Sequence, residues 1–357
     1  MGDERARNQF DQPIKGVSLW RDAWRRLRRN RLALVGLEVI AFYVIVAGLA
    51  AVLPIHSYKQ QVIDHDHLPP SFTKTAGQLL YERREGLLLA AAKADGRTEL
   101  DDAAKRNLAD LGTRLANATE EYDGKRFRVN DRRYILGTDA LGRDLLARII
   151  YGSQVSISIG IIGALTAVLI GVLIGALAGY IGGSFDYLVM RFVDVMYGLP
   201  YILLVIIFMA LFGRSLINMF VCLALVSWLT TARVVRGQII SLKNAEFVQA
   251  ARVVGAGSGR IIFRHLIPNT LGVIVVFTTL QVPSFILLES FLSYLGLGVQ
   301  APLSSWGSLV QSGVEGMSDY PWLLFYPAVV MVIFLFSMNF LGDGLRDALD
   351  PQSKNKL

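Results

Sequence analysis

Six apolar runs dominate this chain, at about residues 32–53, 156–180, 186–212, 215–235, 270–297 and 322–341. Each is long enough to cross a hydrocarbon core of roughly 30 Å as a helix. Hydrocarbon offers no partner to backbone N–H and C=O groups, so such runs make the fold class an all-α polytopic membrane protein of about six transmembrane helices. Composition agrees, with 53% of the 357 residues hydrophobic. The first run starts about thirty residues in and is too long for a signal-peptide core, so it is expected to remain as a span.

Charge orients the runs. A net charge of +7 would suit nucleic acid, but the cations cluster beside apolar runs, as the positive-inside rule expects of cytoplasmic flanks. Residues 1–31 are polar and basic and end in Trp20, Arg21, Trp24, Arg25, Arg26, Arg28, Arg29 and Arg31. That pattern suits an amphipathic helix on the inner headgroup layer. Arg233 and Arg236 put the following stretch on the same side, while residues 298–321 lack Lys and Arg and offer Trp306 and Trp322 to the outer interface. Both termini, including the tail 346–357, are therefore expected inside. The single cysteine, Cys222, excludes an intrachain disulfide and reads as packing.

Within the spans, Gly160, Gly163, Gly171, Gly175 and Gly179 include small residues four apart that let helices approach closely. Gly182 and Gly183 reverse the chain, Pro200 bends the third span, and Arg191 and Asp194 are spaced to pair on one helix face. Glu38 lies near the inner end of the first span, where snorkelling costs little. Glu289, a carboxylate at membrane depth, and Pro283, which loosens its helix near Gln281, are candidate functional positions facing a cavity or a partner helix.

Residues 55–147 form an outer, periplasmic excursion after the first span of 32–54. Residues 77–117 read as one or two helices broken at Gly96 and Arg97, with Leu87, Leu88, Leu89, Leu108, Leu111 and Leu115 able to bury a small face. Asp64, His65, Asp66 and His67 are ligand-competent, but adjacent residues do not converge on one ion, so the run reads as a solvated loop. Residues 136–160 suggest a shaped loop entering a helix. With no Walker lysine they are not a phosphate cradle.

The transmembrane core then covers 148–345, and its most informative stretch is 244–269, inside the segment 237–269 expected in the cytoplasm. Asn244 is expected to cap a short helix that Glu246 favours and Gly255 ends. Gly257 loosens the turn, Ser258 caps a second short helix and Pro268 stops it. Arg260 and Arg264 share one face of that helix.

This stretch resembles the cytoplasmic loop of membrane subunits of ATP-binding-cassette importers, whose pattern is Glu-Ala-Ala, three residues, Gly, nine residues, then Ile-x-Leu-Pro. Gln249, Ala250, Ala251, Gly255 and Pro268 fall at that spacing, with His265 and Ile267 at the apolar positions. The departures are Gln249 for Glu, His265 for Ile and Ile267 for Leu. Four more blocks, GTDALGRDLLARIIYGSQVSISIG, RFVDVMYGLP, LLESFLSYLGLGVQAPLSSWGSLV and FLGDGLRDALDP, are similar in the same order to the second membrane subunit of dipeptide and oligopeptide importers. Gln154 stands where relatives carry arginine, and much of 57–133 has no counterpart in a short first outer loop.

The resemblance implies the type I importer permease fold in a bacterial inner membrane. It also implies a homologous membrane subunit, two ATPase subunits that bind ATP and Mg, and an outer peptide-binding protein. Gln249 to Gly255 and the following turn would form the docking surface for the ATPase, Pro283 and Glu289 would lie near the translocation path or gate, and this chain would bind no cofactor and catalyse nothing. Rival readings are a nickel-chelate, heme or other small-ligand cargo, a membrane-anchored enzyme using His65 and His67, and a secondary transporter that works without ATPase subunits.

Overall fold

A computed structural model describes residues 19–122 and 124–349. The N-terminal residues 1–18 and the tail beyond 349, to which expectations were also attached, lie outside the described residues. Helix α1 (Leu19–Leu27) is separated from α2 (Arg31–Gly48) by Asn30, whose side-chain oxygen accepts from Ala33 N at 3.2 Å and caps α2. An outer layer follows, with α3 (Ala76–Ala94), α4 (Asp102–Asn117) and an antiparallel hairpin of β1 (Thr119–Tyr122) and β2 (Lys125–Arg128). Next come α5 (Leu145–Ile181), α6 (Gly183–Gly198), α7 (Tyr201–Phe212) and α8 (Leu216–Leu242). The chain ends with α9 (Glu246–Val253), α10 (Ser258–Tyr294), α11 (Trp306–Glu315) and α12 (Trp322–Leu349). Among the described residues, α2, α5, α8, α10 and α12 are long and apolar enough to span a membrane, and α6 with α7 makes a sixth if that bent pair is one span.

In lipid, apolar side chains gain little by leaving hydrocarbon, so close packing must hold the bundle. The α5 glycines provide it. A Cβ at Gly171 would lie 2.8 Å from Trp228 O, and Gly175 and Gly179 face Ala232 and Arg236 of α8 in the same way. One turn pattern earlier, Gly160 and Gly163 lie against Val282 and Phe285 of α10. Thus α5 is the central post, with α8 on its C-terminal half and α10 on its N-terminal half. On the other side Gly36 of α2 meets Ser337 O of α12 at 2.6 Å for a Cβ, and Tyr43 donates to Val330 O at 2.9 Å.

Several expectations need correction. Trp306 is not at the outer interface; it is fully buried, with ring centroids 5.7 Å from Tyr43 and 5.2 Å from Phe334. Its N–H donates to Ser156 Oγ (2.9 Å) and its Nε1 to Ile149 O, so the loop before α11 folds back into the bundle. The third span does not merely bend at Pro200; its halves meet at 84°, because Leu199 is extended before the proline. Arg191 and Asp194 do pair on one face, at 4.0 Å, but the pair is exposed and Asp194 is held more closely by Arg233 at 2.7 Å.

The outer layer keeps the expected break. Thr75 and Gln78 form a capping box that starts α3, Gly96 (φ +75°) ends it, and Asp101 caps α4 through Ala104 N at 2.7 Å. The β-hairpin was not anticipated. The 64–67 run is not a solvated loop either, because His65 is fully buried. Asn130 Nδ2 donates to Leu115 O, so its Oδ1 takes the His65 Nε2 proton (2.8 Å), and Nδ1 accepts from Tyr134 Oη (2.8 Å). His67 stacks on Tyr320 at 4.0 Å. Among the described residues no three His, Cys, Asp or Glu side chains group as a metal site. Hence His65 is a structural pin that ties the segments of this layer together through Asn130 and Tyr134.

Candidate functional site

The segment after α8 is held by its buried side. Val248 of α9 and Ile261, Ile262 and Leu266 of α10 pack with Val235 and Ile239 of α8 and Ala176 of α5. Lys243 Nζ reaches Gly179 O at 3.4 Å, and Arg252 stands over the Tyr180 ring at 5.9 Å. The ends of α5 and α8 therefore fix the base of the turn.

Gly255 ends α9 at φ +85°, with Ala256 N bonded to Ala251 O and Gly255 N to Arg252 O, both at 2.9 Å. That pair of bonds is the Schellman cap, which needs a left-handed residue. The start differs from expectation: Ala245, not Asn244, holds the N-cap position with no side-chain bond. Asn244 instead offers its carbonyl to Gln249 Nε2 at 2.9 Å. A glutamate could not donate that bond, so Gln249 has its own local role where the family pattern has a carboxylate.

The second half of the turn also differs. Gly257 holds the cap position that Ser258 was expected to fill, and Ser258 begins the helix. Pro268 does not stop that helix. A π-turn over Ile261–Leu266, in which Ile267 N bonds Ile262 O, leads straight on, and Ser258–Tyr294 is one 37-residue helix. The wider turn tolerates a residue that lacks an N–H, and Asn269 Nδ2 supplies a donor to His265 O at 2.6 Å. Arg260 and Arg264 are both exposed, as are Glu246, Gln249 and Ala250, and Ala251 is half-buried.

Sequence reading missed the tip. Val253 and Val254 are 88% and 87% exposed, the most exposed large apolar residues described, and Phe247 and Phe263 flank them at 39% and 58%. A Val–Val pair directly before a helix-ending glycine was the available signal. Val253 and Val254 form an exposed apolar knob on the capped turn, a kind of surface that marks interaction sites.

Above the turn, α6 and α8 are joined by two ion pairs. Arg236 grips Asp186 through two bonds of 2.5 and 2.6 Å, and Arg233 bonds Asp194 at 2.7 Å. A groove of about 840 Å³ follows, between the α6–α7 break, α8 and α10. Its wall is mostly apolar, with Tyr197, Tyr201, Ser227, Thr230, Gln281 and Ser284 as polar groups. The two path candidates lie elsewhere: Pro283 is buried, and Glu289 Oε1 accepts from Ser293 Oγ (2.7 Å) and Ser305 Oγ (2.6 Å) inside the bundle. Glu289 latches α10 to the loop before α11.

A bundle of spanning helices with an anchored, apolar-tipped turn at one end defines a multi-pass membrane protein. The chain belongs to the family of binding-protein-dependent transport system inner membrane components, whose profile matches residues 171–355. A second profile, the N-terminal TM domain of oligopeptide transport permease C, matches residues 18–70. The chain is 39% identical over 344 residues to the oligopeptide transport system permease protein OppC of Haemophilus influenzae, covering 96% of this chain and 92% of that one. It is 37% identical over 353 residues to the dipeptide transport system permease protein DppC of Bacillus subtilis, covering 99% and 92%. A solved structure of the MetNI methionine ABC transporter overlays 58% of this chain and 96% of its own, at TM-score 0.47 and 18% identity.

Proposed function

We propose that this chain is one of two homologous membrane subunits of an ATP-driven importer of short peptides. Two ATPase subunits, which bind the ATP and Mg, grip the α9 knob, and an outer binding protein delivers the peptide. Both termini and the knob face the cytoplasm, and this chain is a non-catalytic conduit. The observation that carries the reading is the exposed Val253–Val254 tip on a base fixed to α5 and α8. The peptide cargo is supported by the relatives named for oligopeptide and dipeptide transport.

The continuity of α10 supplies the mechanism. When the ATPase pair closes it displaces α9, and α10 starts only four residues after α9 ends. Being one helix of 37 residues, α10 carries that displacement about 55 Å at 1.5 Å per residue. The far end holds Glu289 and the loop before α11, so the outer rim moves with the knob. The test is gentle purification from native membranes with mass spectrometry of stoichiometric companions. A homologous membrane chain and two ATPase chains are expected, and Gly255→Pro, which cannot adopt φ +85°, is expected to lose the ATPases. Recovery of this chain alone, moving solute without ATP, would overturn the proposal.

A further inference from the structure

The side chains of Arg191, Asp194 and Arg233 remain 60%, 51% and 49% exposed on a face that this chain does not cover. Asp194 lies eleven residues along α6 from Gly183, and Arg233 nine residues before the end of α8. At 1.5 Å per residue these are about 17 and 14 Å from those helix ends. Charges exposed along spanning helices are costly against lipid and belong on a water-filled path, a covered interior or the headgroup flank.

The pair is joined to the groove. Arg233 lies over the Tyr197 ring at 4.5 Å, and Tyr197 Oη bonds Thr230 Oγ1 at 2.6 Å, both on the groove wall. Further along, Tyr201 Oη meets Ser227 Oγ at 3.4 Å, and Gln281 gives Nε2 to Thr231 while its Oε1 has no donor. The wall thus sets a short ladder of hydroxyl and amide groups along an apolar surface, with Asp194, paired to Arg233 and to Arg191, at its foot. Such a surface matches what all short peptides share: main-chain N–H and C=O groups, an ammonium end and a carboxylate end.

We propose that Asp194 and Arg233 are a charge lock at the foot of the groove, which opens by exchanging partners with the two ends of a peptide. Resting on the peptide-importer reading above, this inference assigns the residues that recognise the cargo inside the membrane. With no peptide present the ion pair closes α6 on α8. A peptide ammonium takes Asp194, its carboxylate takes Arg233, and release inward re-forms the pair. The lock reads ends and main chain and leaves side chains unread.

The test is uptake by the whole complex in liposomes, with saturating binding protein and three probes: trialanine, N-acetyl-trialanine and trialanine amide. Ratios between wild type and variant, taken with the same binding protein, cancel that protein's own selectivity. Asp194→Asn is expected to cut trialanine uptake several-fold and leave the acetylated probe unchanged, while Arg233→Gln does the same against the amide. Asp194→Glu is expected to keep the wild-type preference, which separates a lost charge from lost folding. Equal losses on all three probes, or no loss on any, would overturn the lock and leave a structural clamp or a lipid-facing pair. Failure of the wild-type complex to take up any peptide would instead overturn the importer reading.

Discussion

At the residue scale, glycine matters here for two separate reasons. Gly255 is needed for its backbone: at φ +85° any side chain costs about 1–2 kcal/mol, and a Cβ would meet nothing within 4 Å. Gly255→Ala is therefore expected to lower amide protection of α9 by a factor of about 5–30 in hydrogen exchange, with the rest of the bundle unchanged. Gly171 is needed for its size, since a Cβ would press on both Trp228 O and Thr231. Gly171→Val should destabilise the α5–α8 contact by about 1–3 kcal/mol in a thermal scan in detergent. Gly237→Ala, on the same α8 but in open space, should be neutral or stabilise by about 0.5–1 kcal/mol. The small-residue spacing and the helix-ending role of Gly255 were legible in the sequence because both are local. The burial of Trp306 was not. A tryptophan in an outer loop looks the same whether it faces lipid or folds back onto Ser156 and Ile149, about 150 residues away.

At the scale of elements, breaker rules worked where the backbone had an alternative and failed where it did not need one. Pro200 divides α6 from α7 because Leu199 is free to be extended. Pro268 was read as a stop but lies in the first turn of an α-helical stretch, where a missing N–H costs nothing, and the π-turn before it makes room. The outer layer carries a prediction of its own. Burial lowers the His65 pKa, helped by the Arg132 charge, and burial and Arg132 also lower that of His56. Folded, these rings bind fewer protons than when unfolded at about 6.5, so their contribution is complete above that pH and falls as acid protonates the unfolded state first. Hydrogen exchange of α3 and α4 should accelerate relative to α5 between about pH 7 and pH 5, and His65→Gln should flatten that dependence. An unchanged dependence in the variant would assign it elsewhere.

For the molecule as a whole, the number of runs, their order and the family were legible, since apolar length and charge flanks are written along the chain. The exposed apolar and charged surfaces were less so. The Val253–Val254 knob and the Asp194–Arg233 pair stand out only once the neighbours that bury other valines and charges are in place. The central claim is that ATP binding on partners works this chain through that knob. Its most direct test is ATP-dependent trialanine uptake by liposomes holding the assembled complex, with wild type compared to Val253→Asp/Val254→Asp. Both residues touch solvent alone here, so the variant should fold and keep its homologous subunit while uptake falls at least about tenfold, the loss of one interface anchor. Uptake equal to wild type in that variant, or uptake by wild type without ATP, would contradict the claim.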